Sequence, residues 1–101
     1  MIIMIYVILF EDNEEFSDRR AKYMEQHLAF LRAHANNIIS AGPLLEENTQ
    51  QGAGGLWLVE GQDVETIQSL ITTDPFWNTG LRKSYQILQW KQVFSEGKVR
   101  I

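Results

Sequence analysis

The chain has two histidines, and His27 is the one placed where its side chain can do chemistry. An imidazole titrates close to neutral pH, so it can take up or release a proton there. A carboxylate bonded to one ring nitrogen would fix the tautomer and leave the other nitrogen for a substrate. Asp74, just after the second predicted helix, can supply that carboxylate if both helices cover the same face of a sheet. The structural alternative, a partly buried and hydrogen-bonded histidine at the border of its helix, stays open.

Arg20 precedes His27 by seven residues, which is about 10 Å along a helix at about 1.5 Å per residue and on the same side. There it can fix a carboxylate or phenolate end of a substrate, although pairing with neighbouring acids on the surface is an equal alternative. Asp74 has a structural alternative too, because Asp followed by Pro75 commonly starts a helical turn. Both roles are compatible, since one carboxylate oxygen can cap the turn while the other contacts the imidazole.

The remaining polar motifs indicate neither a metal nor a cofactor, so we expect the protein to use none. His34 lies in the last turn of its helix, where a cation suits the negative end of the dipole. Two histidines seven residues apart, in a chain without cysteine, make a poor metal site. The glycine cluster at residues 52–55 precedes a strand rather than a helix, so it is not a phosphate loop. Trp77 is the tryptophan expected to border a pocket, because it lies beside the Asp74 turn.

Composition excludes several classes of protein. The 101 residues suit one domain with one core, residues 1–101. A net charge of −4 offers no basic patch, so no nucleic-acid partner is expected, and the absence of cysteine excludes disulfides and a thiol nucleophile. The apolar residues 1–10 are too short for a membrane span of about 20 residues, and acids follow them where a signal peptide would have a cleavage site. We therefore expect no membrane partner and a cytoplasmic location.

The hydrophobic pattern predicts four strands and two helices. Residues 2–10 are apolar throughout and rich in β-branched and aromatic types, which favours a central strand covered on both faces. In the first helix, Ala21, Met24, Leu28, Leu31 and Ala35 recur at three- and four-residue steps and predict the face that packs on the sheet. The predicted strands are residues 2–10, 38–41, 56–60 and 84–94, the helices run from 17 or 18 to about 34 and from 63 to about 73, and residues 95–101 form a tail that is mobile or adds to an edge.

This β-α-β-β-α-β order predicts an α+β fold of the ferredoxin-like, split-βαβ kind. Four antiparallel strands would carry both helices on one face and leave the other face without a cover. Because the first strand is apolar on both faces, we expect a second copy to pack its sheet against this one in a dimeric α+β barrel. Assemblies larger than this homodimer stay open. The alternative is a monomer whose loop and tail fold across the sheet.

Four sequence features together resemble the YCII-related family of the dimeric α+β barrel superfamily. They are the apolar strand at residues 5–12, Arg20 seven residues before His27, Gly42-Pro43 after the second strand, and Asp74-Pro75-Phe76 after the second helix, with Gly80 and a last strand closing near Val93-Phe94. The resemblance implies an active site built from His27 and Asp74. Arg20, Gly42, Pro43 and Trp77 are the candidate substrate-binding residues. Many members carry a second arginine where this chain has Met24, a departure that weakens the case for an anionic substrate.

We therefore predict a small, cofactor-independent enzyme that binds a small polar or cyclic organic molecule between the first helix, the sheet and the Asp74 segment. His27 would move a proton in an elimination or isomerisation, and Asp74 would orient it. The resemblance suggests reactions such as the dehydrochlorination of a hydroquinone. A non-catalytic ligand-binding or dimerisation module is the alternative, since the sequence has no nucleophile or metal set. A haem-degrading monooxygenase on the same barrel ranks lower, because no axial-ligand position stands out.

Overall fold

The computed structural model describes residues 3–101, and a long apolar strand lies at its centre. This strand corresponds to the predicted strand at residues 2–10, of which residue 2 lies outside the described residues. The strands are β1 (Met4–Asp12), β2 (Ile38–Leu45), β3 (Gly52–Gly61), β4 (Arg82–Gln89), β5 (Phe94–Ser95) and β6 (Lys98–Val99), and the helices are α1 (Asp18–Lys22), α2 (Met24–Ala33), α3 (Val64–Thr73) and α4 (Pro75–Asn78).

The main sheet has the strand order β2-β3-β1-β4, and all neighbouring strands are antiparallel. In the middle of β1, Ile8 lies opposite Trp57 of β3 on one side and Ile87 of β4 on the other. A split βαβ arrangement produces this order. The predicted ferredoxin-like α+β fold is therefore confirmed.

The helices cover one face of this sheet. Tyr6, Ile8 and Phe10 alternate along β1 and are almost fully buried, because they form one cluster with apolar residues of α2 and α3. The other buried members of this cluster are Phe30, Ile38, Trp57, Val59, Ile67, Leu70 and Ile71. The intervening residues Val7 and Leu9 point to the opposite face of the sheet and are half-buried.

The first predicted helix is interrupted, and the face predicted to pack on the sheet is wrong. Tyr23 adopts φ −110° and ψ 15°, so α1 ends before it and α2 begins after it. The residues of α2 that are buried are His27 and Phe30, whereas Leu28 is 41% exposed. The ring of Phe30 and the imidazole of His27, which has a buried partner in Asp74, occupy the sheet-facing side instead, and of the predicted stripe Leu31 still packs against the core. Ala21 and Ala35 of that stripe are exposed, and Met24 and Leu31 are half-buried.

The last strand is shorter than the sequence predicts. β4 ends at Gln89. The next residue, Trp90, still donates its backbone N–H to the carbonyl of Ile5 at 2.8 Å. The chain then leaves the main sheet, and Phe94 pairs with Val99 in a two-stranded hairpin of β5 and β6. The predicted tail at residues 95–101 therefore pairs with its own neighbouring segment rather than with an edge of the main sheet.

The second strand is longer than predicted, since β2 continues through Gly42 and Pro43 to Leu45. A proline is tolerated there because β2 is an edge strand whose register with β3 shifts between Pro43 and Leu45.

The second predicted helix is found at α3, and the Asp74-Pro75 turn starts the separate helix α4. Within residues 3–101, no helix is long and apolar enough to cross a membrane.

Candidate active site

The centre of α2 and the start of α4 bring His27 and Asp74 together in the core. His27 is 6% exposed and Asp74 is 1% exposed. Nδ1 of His27 lies 2.8 Å from Oδ1 of Asp74, which is the contact that a carboxylate-oriented imidazole requires. The other ring nitrogen, Nε2, is on the side of the ring away from this contact. The pair can therefore fix one tautomer and leave Nε2 to exchange a proton.

Asp74 is also the N-cap of α4, and its Oδ1 accepts a hydrogen bond from the backbone N–H of Phe76 at 3.1 Å. The sequence suggested that one carboxylate oxygen would serve the cap and the other the imidazole. The structure differs, because Oδ1 makes both contacts with its two lone pairs. The hydrogen bond that caps α4 thus fixes the position of Oδ1, the atom that also orients His27.

Phe76 fixes the plane of the imidazole. Its ring is stacked on that of His27, with 3.9 Å between centroids and 13° between planes. Phe76 is fully buried, so it cannot turn aside without opening the core. The stack and the Asp74 contact together hold the position and the rotation of the His27 ring.

Two arginines and a carboxylate form a second polar cluster beside this pair. Asp12, at the end of β1, accepts from Arg20 Nη2 at 2.5 Å through Oδ2 and from Arg82 Nη1 at 3.1 Å through Oδ1. The Arg82 side chain is 3% exposed, and this burial lowers the pKa of its guanidinium, while the charge of Asp12 partly offsets the effect. The cluster carries one more positive than negative charge.

Sequence reasoning missed Arg82. In β4, Tyr85 and Ile87 point to the helix-covered face, so simple alternation assigns Lys83 rather than Arg82 to that face. The register of β1 and β4 shifts between Glu11 and Asp12, and Asp12 is thereby paired with Arg82. A bulge of this kind has no clear sequence signature, so no sequence signal could have found the residue.

Phe76 lies between the two polar groups. Its ring centroid is 5.4 Å from the guanidinium carbon of Arg20 and 5.4 Å from that of Arg82. The same centroid is 3.9 Å from that of His27. The charged cluster and the histidine–aspartate pair therefore both contact the same aromatic ring.

A cleft of about 900 Å³ opens beside the charged cluster. Its walls include Phe10, Asp12, Arg20, Pro43, Gly54 and Leu81. Of the residues predicted from the sequence to form the site, Arg20 and Pro43 line this cleft, whereas His27 and Asp74 do not. The predicted proton-transfer pair is thus linked to the cleft only through Phe76, which stacks on His27 and lies 5.4 Å from the guanidinium carbon of Arg20.

Gly42 and Trp77 adjoin other predicted site residues, Pro43 and Asp74 respectively, but do not line the cleft themselves. Gly42 is exposed on β2, where it pairs with Leu56, and a Cβ there would have no atom within 4 Å. Trp77 is half-buried and meets the ring of Tyr85 edge-on at 5.4 Å. Neither is among the residues that line the cleft in the described part of the chain. Their predicted contact with a substrate stays a prediction.

These observations define an α+β protein of the ferredoxin-like class in which helices hold a buried histidine–aspartate pair against the sheet. The chain belongs to the YCII-related family, because the model of the YCII-related domain matches residues 4–91. The resemblance found in the sequence is thereby confirmed. Among curated proteins, no sequence matches this chain.

Two solved structures illustrate what this fold is similar to. A 5-chloro-2-hydroxyhydroquinone dehydrochlorinase from Burkholderia phenoliruptrix, in complex with 2,5-dihydroxybenzoquinone, is 25% identical with a TM-score of 0.77, and the match covers 87% of this chain and 94% of that one. A protein from Arabidopsis thaliana is 15% identical with a TM-score of 0.50, and covers 92% of this chain and 98% of that one. The second match bears on the fold alone.

Proposed function

We propose that this protein is an enzyme that acts on a small organic molecule, with His27 as general acid–base and Asp74 as the residue that orients it. The observation that carries the proposal is the 2.8 Å contact between Nδ1 of His27 and Oδ1 of Asp74, in a position almost without solvent. The family membership and the likeness to a dehydrochlorinase, 25% identical over 87% of this chain, support an enzyme of small molecules.

The proposed reaction is an elimination or an isomerisation. In an elimination, Nε2 of His27 takes a proton from the substrate, the freed electron pair forms the new double bond, and the leaving group departs with its own pair. Asp74 accepts from the N–H at Nδ1 and stabilises the imidazolium that forms. In an isomerisation, the same nitrogen returns the proton to a different atom. Either reaction needs one residue that moves one proton, as this pair provides.

The proposed substrate is a small polar or cyclic molecule that enters from the cleft. Arg20 lines the cleft, and its guanidinium and the His27 ring both lie close to Phe76. A substituted ring bound in the cleft can contact Arg20, and it reaches the His27 ring once the cleft wall opens, while Phe76 keeps its place in the core. The chemistry would then take place at a buried histidine, where water is scarce.

The test is turnover of 5-chloro-2-hydroxyhydroquinone, followed by release of chloride, and then of related halogenated rings and lactones. We expect His27→Gln to lose at least about 100-fold in kcat, the lower range for general acid–base catalysis. His34→Gln is the matched control, because His34 is on the same helical side but contacts Phe30 rather than Asp74. Equal turnover by the wild type and His27→Gln would refute the proposal.

A non-catalytic binding module is the second candidate, favoured by the 6% exposure of His27 and its position outside the cleft walls. The two candidates differ in the tautomer of His27, which ¹⁵N NMR measures directly. An enzyme needs one fixed tautomer with the proton on Nδ1, which Asp74→Asn should disturb. A mixture of tautomers in the wild type would favour the binding module.

We also propose that two copies pack their open sheet faces together as a dimeric α+β barrel. The support is the row of apolar side chains on the face opposite the helices: Val7, Leu9, Leu56 and Leu58 are half-buried, and Leu88 is 42% exposed. Light scattering after size exclusion should give the mass of a dimer, and Leu58→Asp should give a monomer. Leu28→Asp, on the surface of α2, is the control. A wild-type monomer at high concentration would refute the dimer.

A further inference from the structure

Arg82 is a buried cation with fewer partners than a guanidinium normally has. Its side chain is 3% exposed, although it carries five N–H donors. Within residues 3–101, its Nη1 donates to Asp12 at 3.1 Å, while its Nε is buried without a hydrogen-bond partner. Buried polar groups in native proteins are nearly always paired. An unpaired guanidinium nitrogen at this depth therefore indicates an acceptor that the chain itself does not supply.

The chain makes room for this guanidinium. A Cβ on Gly55 of β3 would lie 2.7 Å from Nη1 of Arg82, so any other residue there would displace the end of the Arg82 side chain from its present position. The ring of Phe10 lies 4.2 Å from the guanidinium carbon and supports it from one side. Arg82 is thus held in a fixed place rather than left to fold out to solvent.

The cleft adjoins the residues that surround the Arg82 guanidinium. Phe10 and Asp12, which contact the guanidinium, and Leu81, which precedes Arg82 in the chain, all line its wall. Arg20 shares Asp12 with Arg82 and lines the same wall. Arg82 itself is buried and is not among the residues that line the cleft, so a molecule that enters meets Arg20 and Asp12 first and reaches the Arg82 guanidinium through the wall that these residues form with Phe10 and Leu81.

We propose that Arg82 binds the anionic end of a small cyclic substrate, a carboxylate or phenolate, at the cleft wall beside Asp12. The inference deepens the proposed function and rests on it for the reaction, but the binding itself does not depend on catalysis. A planar guanidinium pairs with such oxygens through parallel N–H groups. Since Arg82 stays charged after losing its water, an anion beside it restores part of the lost solvation.

Two further acids line the cleft, and they do not oppose this assignment. Glu11 is exposed and pairs with Lys83 at 3.8 Å, and Glu14 is exposed at the rim. Water and salt screen charges in such positions. The guanidinium of Arg82 lies in the protein interior, where its field is screened far less. The cluster of buried Arg82 with the partly exposed Arg20 and Asp12 keeps one positive charge in excess.

The experiment uses sodium benzoate as the anionic probe and benzamide as its neutral match, each titrated into the full chain by NMR. Benzoate should bind saturably and shift the Nε–H resonance of Arg82, whereas benzamide should bind at least tenfold more weakly. Arg82→Lys, which keeps a charge but loses the fork, should weaken benzoate binding about tenfold or more. Arg100→Lys is the matched control, because Arg100 is exposed and pairs with Glu96.

The wild-type titration decides the proposal even if the Arg82 variant does not fold. Benzoate that does not bind, that binds no better than benzamide, or that leaves the Arg82 resonance unmoved would overturn it. The proposed acid–base role fails separately: His27→Gln should bind benzoate like the wild type and lose turnover. Retained turnover in His27→Gln would refute the acid–base role while leaving the anion site standing.

Discussion

Replacing Asp74 by alanine should destabilise the fold more than an ordinary helix cap does. Oδ1 of Asp74 serves two buried donors, Nδ1 of His27 and the backbone N–H of Phe76. Alanine would leave both without an acceptor, at about 1–3 kcal/mol for each buried donor. We therefore expect the free energy of unfolding to fall by about 2–6 kcal/mol. Asp74→Asn keeps an oxygen in the same place and should cost less.

Urea denaturation followed by tryptophan fluorescence measures this loss, provided that the slope with denaturant stays constant. Asp63→Ala is the matched control, because Asp63 caps α3 with a side-chain contact to the backbone N–H of Thr66 at 2.8 Å. Asp63 is exposed and contacts no imidazole. If the two alanine variants lose the same free energy, the buried pair contributes nothing beyond a cap and the reasoning is wrong.

Three further outcomes are expected. Gly55→Ala should weaken benzoate binding in NMR titration, because its Cβ displaces the end of the Arg82 side chain, and it should change the free energy of unfolding by less than about 1 kcal/mol, since that side-chain end can shift. Gly52→Ala, with nothing within 4 Å of its Cβ, should leave the Arg82 resonance and the stability unchanged. Asp12→Asn should tighten benzoate binding by about tenfold in NMR titration, since it removes the carboxylate that competes for both arginines. A backbone hydrogen bond from the first turn of α3 lowers the pKa of Asp63. The Asp63 carboxylate therefore stabilises the fold above its unfolded-state pKa, and this stabilisation is lost as the pH falls through the folded-state pKa. Asp63→Asn should flatten the dependence of stability on pH in that acidic range alone, and an unchanged pH profile in thermal melts would count against this.

The sequence predicted those features that depend on local periodicity. The order of strands and helices follows from apolar runs and their breaks, and Asp74 followed by Pro75 predicts a helical start wherever it lies. The sequence therefore could predict that Asp74 caps a helix and that this helix, α4, is separate from α3. The contact between Asp74 and His27, 47 positions apart in the chain, needed the further assumption that both helices lie on one face.

What the sequence could not predict depends on exceptions to regular periodicity. A helical wheel assumes an unbroken helix, and the non-helical backbone at Tyr23 changes which side chains of α2 meet the sheet. Strand alternation likewise assumes a constant register, and the shift between Glu11 and Asp12 turns Arg82 inward. The end of β4 at Gln89 depends on where the partner strand ends, and the apolar pattern of the following residues does not record it.

The cost of placing Arg82 inside the protein is the strongest argument that its position has a function. A glycine in a strand is destabilising by about 0.5–1 kcal/mol relative to alanine, and Gly55 leaves the space that the guanidinium occupies. Replacing a whole buried ion pair by apolar side chains of similar volume is often neutral or stabilising, and Asp12 would keep Arg20 as its partner if Arg82 were replaced. Phe10 and Phe76, which flank the guanidinium, would pack well against such a side chain. Selection for stability alone would favour an apolar residue there, so the arginine is better explained by the anion that it can bind.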